Sequence, residues 1–272
     1  MRALLMGFTG LLFASSVAAQ QPDYEREKRW ADQIVPSVLV GDVVWITQTW
    51  PTDIPWLKKV TSREKREHKF LGIYTPVENA RGAIIVGHGR GWNPDFELYG
   101  SLRTKLAEQG YTTLGIQLPV LGPGAKPGDY LPVYPDAEYR YALAANYLRD
   151  KGFDKIAIVS HSLGATMANQ YLIHADTTPV KAWAFIGIIN GLEEMFRIKI
   201  PVLDVFGGKD WEVTQVGAYE RKKQIMKVPG SDQVVVPDAL HFFEGREDDL
   251  VKVLVTFLDS RFGAPVAAAA PK

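Results

Sequence analysis

Three side chains carry the strongest chemical signal in this sequence: Ser162, Asp210 and His241. Ser162 lies in Lys155-Ile-Ala-Ile-Val-Ser-His-Ser-Leu-Gly-Ala, where a β-rich run meets Ser160-His161-Ser162-Leu163-Gly164 and a helical stripe follows at once. A serine at such a junction projects from a strained turn above a helix N-terminus, and its neighbours two before and two after must be tiny. Gly164 meets that demand, and Ser160 departs from the usual glycine by one small side chain. S-x-S-x-G alone occurs by chance; the strand before it and the helix after it carry the reading. A serine hydroxyl is a poor nucleophile until an imidazole takes its proton, and a carboxylate must hold that imidazole in the right tautomer. Asp210 stands at the tip of Val202-Leu-Asp-Val-Phe-Gly-Gly-Lys-Asp210, and His241 comes after one further strand. The chain order is then serine, acid, histidine. Asp204, in mid-strand, reads as structural, and Asp238, three residues before His241, is the reserve acid.

A second loop, Val86-Gly-His88-Gly89-Arg90-Gly91-Trp92, also comes directly after a strand. Acyl transfer builds charge on a carbonyl oxygen, and each preorganised N–H that meets it is worth on the order of a hundred- to a thousand-fold in rate. The expected pair of donors is the backbone N–H of Leu163 and that of Arg90. His88 reads as orienting this loop and His161 as packing. Trp92 and Trp211 flank the two loops; an apolar acyl pocket and ordinary core packing both fit them.

These loops need a scaffold. β-Rich runs at Ser37–Ile46, Lys69–Tyr74, Gly82–Val86, Thr112–Leu118, Lys155–Ser160, Ala182–Ile189, Val202–Phe206 and Gln233–Val236 alternate, in the later part, with amphipathic stretches. Leu98, Leu102 and Leu106 precede Gly110, helices are expected over Pro135–Lys151 and Leu163–Ile173, and Leu250, Leu254, Phe257 and Leu258 mark a last one. Such alternation argues an α/β fold with a mostly parallel central sheet and helices on both faces, its first two strands antiparallel. Functional loops then fall at the carboxyl ends of the strands. Leu118–Asp136, rich in proline and glycine, reads as a long loop at that edge.

Ser162, Asp210 and His241 in this order, with His88-Gly-Arg-Gly after an early strand, resemble the α/β-hydrolase superfamily from about Lys69 to Phe262. Thr113-Leu-Gly-Ile-Gln-Leu-Pro-Val-Leu121 is further similar to a group of exported bacterial members. The resemblance implies the α/β-hydrolase fold and hydrolysis of a small-molecule carboxylic ester, thioester or amide through an acyl-enzyme, with no cofactor. Few residues separate Ile189 from Val202, so little or no cap domain is expected, and the site is roofed at most by 118–136 and the aromatic 45–57 segment.

Other classes fit less well. A dinucleotide fingerprint starting at Gly87 needs its third glycine where Trp92 stands, and Gly208-Lys209 has neither the spacing nor the Ser/Thr of a P-loop. No metal-ligand spacing is present. A non-catalytic hydrolase-fold binding or assembly protein is the alternative of another kind, since a fold does not determine a function. The chain of 272 residues has 31 basic and 31 acidic side chains, so its net charge calls for no nucleic acid or acidic membrane, and with no cysteine it is indifferent to an oxidising compartment.

Met1 and Arg2, the apolar run Ala3–Val17 and the small residues to Ala19 have the three-part pattern of a secretory signal peptide over 1–19. The run is about 15 residues, short of the about 20 that span a bilayer. This pattern implies export to the periplasm or beyond, without stable membrane insertion after cleavage. Residues 20–262 read as a single domain and 263–272 as a disordered Ala/Pro tail.

Overall fold

A computed structural model of the chain describes residues 21–59, 65–189 and 191–263. The expected leader and residues 264–272 of the expected tail lie outside them. Eight strands form one sheet: β1 (Asp42–Trp50), β2 (Arg66–Thr75), β3 (Ala83–Gly87), β4 (Thr112–Ile116), β5 (Ile156–His161), β6 (Val180–Ile186), β7 (Val202–Gly207) and β8 (Asp232–Val236). Their order is β1-β2-β4-β3-β5-β6-β7-β8. β1 with β2 and β2 with β4 run antiparallel, and every later pairing is parallel. From β3 the chain steps outward to β4, then returns past β3 to place β5 on its other side. That reversal opens a crevice beyond the carboxyl ends of β3 and β5, the position where open α/β sheets bind ligands.

β3, β4, β5 and β7 are buried along their whole length because both faces are covered. In β3, Ala83 and Ile85 join the core on one face while Ile84 and Val86 join the core on the other. The first face carries α3 (Tyr134–Asp150) and α4 (Leu163–His174); the second carries α2 (Glu97–Glu108) and α7 (Glu247–Phe262).

Several boundaries differ from expectation for local reasons. The first strand begins at Asp42 because α1 (Tyr24–Ile34) and a 3-10 turn at Val35–Ser37 occupy the preceding chain. β6 stops at Ile186 because Gly187 turns the backbone away at φ +54°. Two further short helices, α5 (Glu212–Val216) and α6 (Ala218–Ile225), present only Thr214, Arg221 and Ile225 inward, so they show no apolar stripe. The 118–136 loop holds a 3-10 turn at Pro127–Val133 and buries Leu118, Val120, Leu121, Tyr130 and Val133. The 45–57 segment does not roof the expected site. It belongs to the edge strand β1 and the chain just after that strand, where Trp50 is buried against Tyr139 and donates to Asp136. The chain between β6 and β7 carries a 3-10 turn at Met195–Arg197 and no cap among its described residues.

Candidate active site

β5 hands directly to α4 through Ser162, whose backbone sits at φ 53°, ψ −124°. A non-glycine residue there costs about 1–3 kcal/mol and persists only where its surroundings impose it. Ser162 N–H donates to Ile186 O across the sheet (2.8 Å), and its carbonyl already accepts from Ala165 N–H (3.0 Å) as the helix begins. A Cβ at residue 164 would lie 2.1 Å from His88 O, so only glycine lets the loop after β3 press against the turn. Ser160, in place of the usual first glycine, turns its hydroxyl to accept from Trp183 Nε1 (2.9 Å).

The structure brings the three expected side chains together. His241 Nε2 lies 3.1 Å from Ser162 Oγ, and His241 Nδ1 lies 2.6 Å from Asp210 Oδ1. All three are buried to within a few per cent. Burial pushes the Asp210 carboxyl up, but the bond and charge of His241 and the donated Trp211 N–H (2.6 Å) outweigh it and hold the pKa below the usual value. A carboxylate so held favours Nδ1–H on His241 and leaves Nε2 as the acceptor facing the serine. Trp211 stacks on the His241 ring at 3.6 Å and 15°, closing that face. Gly187 lies behind the pair; a Cβ there would come within 2.9 Å of Asp210 Oδ2 and 3.1 Å of His241 Nδ1. The reserve acid, Asp238, is half exposed and turned outward to Lys209 Nζ (2.8 Å), and Asp204 is buried on Arg221 Nε (2.9 Å).

The loop after β3 is fastened from below by His88. Its Nδ1–H donates to Gly89 O (2.8 Å) and its Nε2 accepts from Leu118 N–H (2.8 Å), which ties this loop to the 118–136 loop. Burial lowers the His88 pKa to about 4. Leu163 is the first residue of α4, so its N–H has no acceptor within the helix and adds to the positive end of the dipole. Arg90 N–H is likewise uncommitted among the described residues. The Arg90 side chain reaches Ala125 O (2.9 Å), and Arg26 from α1 spans Leu121 O (2.6 Å) and Gly91 O (3.1 Å). Together these elements wall an open cleft of about 570 Å³ with Ser162 and His241 on its floor, and Trp92, Trp211, Phe242, Ile189 and Tyr130 line it. Trp92 stacks on Phe96 (3.6 Å) and also lines the cleft, so packing and lining both describe it.

No protein-family model matches the chain, and neither does any curated relative. Solved structures do. A putative α/β hydrolase of unknown function from Agrobacterium tumefaciens superposes with a TM-score of 0.58 at 17% identity, over 74% of this chain and 95% of that one. A serine hydrolase without a lid from Xanthomonas campestris gives 0.58 at 16%, over 86% and 100%. Dienelactone hydrolase from Anabaena variabilis gives 0.57 at 20%, over 79% and 98%. The chain has the α/β-hydrolase fold.

Within this hydrolase fold, His161 does more than pack. Gly89 N–H donates to Tyr99 Oη (2.9 Å), Tyr99 O–H to His161 Nδ1 (2.9 Å), and His161 Nε2–H to His241 O (2.9 Å). One chain of bonds thus joins the loop after β3, the residue before Ser162 and the backbone of His241. The only sequence signal for it is a histidine beside the serine; Tyr99 lies 62 positions away. Arg26, Phe242 and Tyr130 also escape sequence reading, because nothing local marks them.

Burial and the neighbouring His241 charge lower the His161 pKa to about 3. Both His161 and His88 are therefore neutral when folded but take up protons when unfolded, near pH 6.5. Their contribution to stability is complete above about pH 6.5 and is lost as pH falls towards their folded pKa values, at up to about 1.4 kcal/mol per unit for each group. Urea unfolding midpoints are expected to drop steeply between pH 6.5 and 4, and less steeply in His161→Gln. An identical slope in that variant would assign the acid sensitivity elsewhere.

Proposed function

We propose that this chain is an exported serine hydrolase that cleaves small-molecule carboxylic esters through an acyl-enzyme. The observation that carries the reading is the run of contacts Ser162 Oγ–His241 Nε2–Asp210 at 3.1 and 2.6 Å on the floor of one open cleft. His241 Nε2 takes the Ser162 proton as Oγ attacks the ester carbon. Asp210 keeps the proton on Nδ1 and stabilises the imidazolium that forms. The N–H groups of Leu163 and Arg90 receive the oxyanion. Collapse expels the alcohol, protonated by His241, and water activated by the same imidazole hydrolyses the acyl-serine.

A fluorophosphonate probe tests this reading, because it labels only an activated serine. The expected result is a single adduct mapping to Ser162; an intact protein after prolonged exposure would favour a non-catalytic binding protein. Export rests on the leader pattern alone. Sequencing of the mature N-terminus is expected to begin at Gln20, and retention of Met1 in the active protein would overturn it.

A further inference from the structure

The residues that line the cleft include two guanidinium groups, Arg26 and Arg90, and not one aspartate or glutamate. Neither guanidinium has a carboxylate within 4.0 Å among the described residues. Among the described residues the hydrogen bonds of the two guanidiniums go to neutral backbone carbonyls, Leu121 O and Gly91 O for Arg26 and Ala125 O for Arg90, and the Arg26 guanidinium also lies over the Trp30 ring. Holding a carbonyl does not require a full charge, and a guanidinium has five donors. Arg26 therefore has three left and Arg90 four. Both cations line the cleft beside Tyr130, whose pKa burial raises while the donated Leu121 N–H (3.2 Å) and then the two guanidiniums draw it back. A Cβ at Gly91 would touch Arg26 Nη2 at 3.7 Å and Tyr130 Oη at 4.0 Å, which puts this group against the loop expected to hold the oxyanion.

We propose that the cleft selects esters that carry a carboxylate, which Arg26 and Arg90 bind while Ser162 attacks the ester carbon. The proposal rests on the serine-hydrolase reading and adds its substrate class. Planar forked donors match a carboxylate better than a point charge would, and the partly exposed site makes the attraction salt-dependent. The apolar side of the cleft, from Trp211 to Phe242, is left for the uncharged part of the molecule.

The test compares kcat/KM for matched esters in the full mature chain. One pair is the 4-nitrophenyl half-ester of glutaric acid and its methyl-capped diester; a second is 3-carboxyphenyl acetate and its methyl ester, with the charge on the leaving side. In at least one pair the charged ester is expected to win by tenfold or more at low ionic strength. The ratio is expected to shrink towards one in 0.5 M salt, at a Debye length of about 4 Å. It is also expected to shrink in Arg90→Gln and Arg26→Gln, with circular dichroism confirming that each variant is folded. If Arg26→Gln does not fold, Arg90→Gln decides. Fluorophosphonate labelling runs alongside. A wild-type protein that labels at Ser162 yet favours the neutral member of both pairs overturns the substrate class and leaves the hydrolase reading intact. A charge preference that survives in the folded variants overturns the role of the arginines. Absence of both labelling and turnover overturns the two proposals together.

Discussion

Ser162→Ala is expected to leave a folded protein whose esterase turnover is lower by about a million-fold, the loss seen when a serine nucleophile is removed elsewhere. The side chain is small and, among the described residues, its hydroxyl bonds only to His241, so the substitution removes one oxygen from the lining of an open cleft. The bonds that impose the turn, Ser162 N–H to Ile186 O and Ala165 N–H to Ser162 O, are backbone bonds and survive. Thermal unfolding should therefore shift little while ester hydrolysis vanishes. Should the purified variant turn over esters as fast as the parent, Ser162 is not the nucleophile.

Asp210→Asn is expected to lower turnover by about ten-thousand-fold, because an amide can face Nδ1 with its N–H₂ and so favour the tautomer that points a proton at the serine. Asp238→Asn should change turnover by less than about twofold, since the salt bridge it loses to Lys209 is solvent-exposed and worth little. Initial rates on one ester, with both variants checked by circular dichroism, separate the two acids. The reverse ranking would move the orienting role to Asp238, and equal small losses would argue against any working triad.

How much of this is legible in the sequence depends on how local the determinant is. Ser162 is legible because its strand, its turn and its helix are contiguous and each has its own periodicity. Asp210 and His241 are legible because both come after strands, and an α/β sheet delivers strand ends to one edge. Residues 24–34 are not legible as a helix: Tyr-Glu-Arg-Glu-Lys-Arg is polar, and what α1 buries is Ala31, Ile34 and the charged Glu27. Glu27 is inside because Arg140, also buried, lies 3.0 Å away, a partnership across more than a hundred residues that no window reveals. The aromatic 45–57 segment misleads in the opposite direction. Its tryptophans suggest a pocket, yet Trp50 is buried because its indole N–H finds Asp136. The two arginines of the cleft, neither guanidinium with a carboxylate partner among the described residues, lie 64 positions apart, and only the folded chain brings them to one site.

The bond from His161 to the carbonyl of His241 has a consequence for motion. Ser162 and His241 stand on different segments after different strands, and loops fluctuate on the nanosecond scale unless something couples them. Here the ring adjoining Ser162 grips the peptide of His241 itself, and Tyr99 anchors that ring from α2. The bond links the His241 loop directly to the end of β5, beside the 3.1 Å contact between Ser162 and His241. Proton transfer falls away steeply with distance, so in the proposed reaction such a link favours a constant separation between the two side chains. That link is already formed in the structure, from Tyr99 through His161 to the His241 carbonyl.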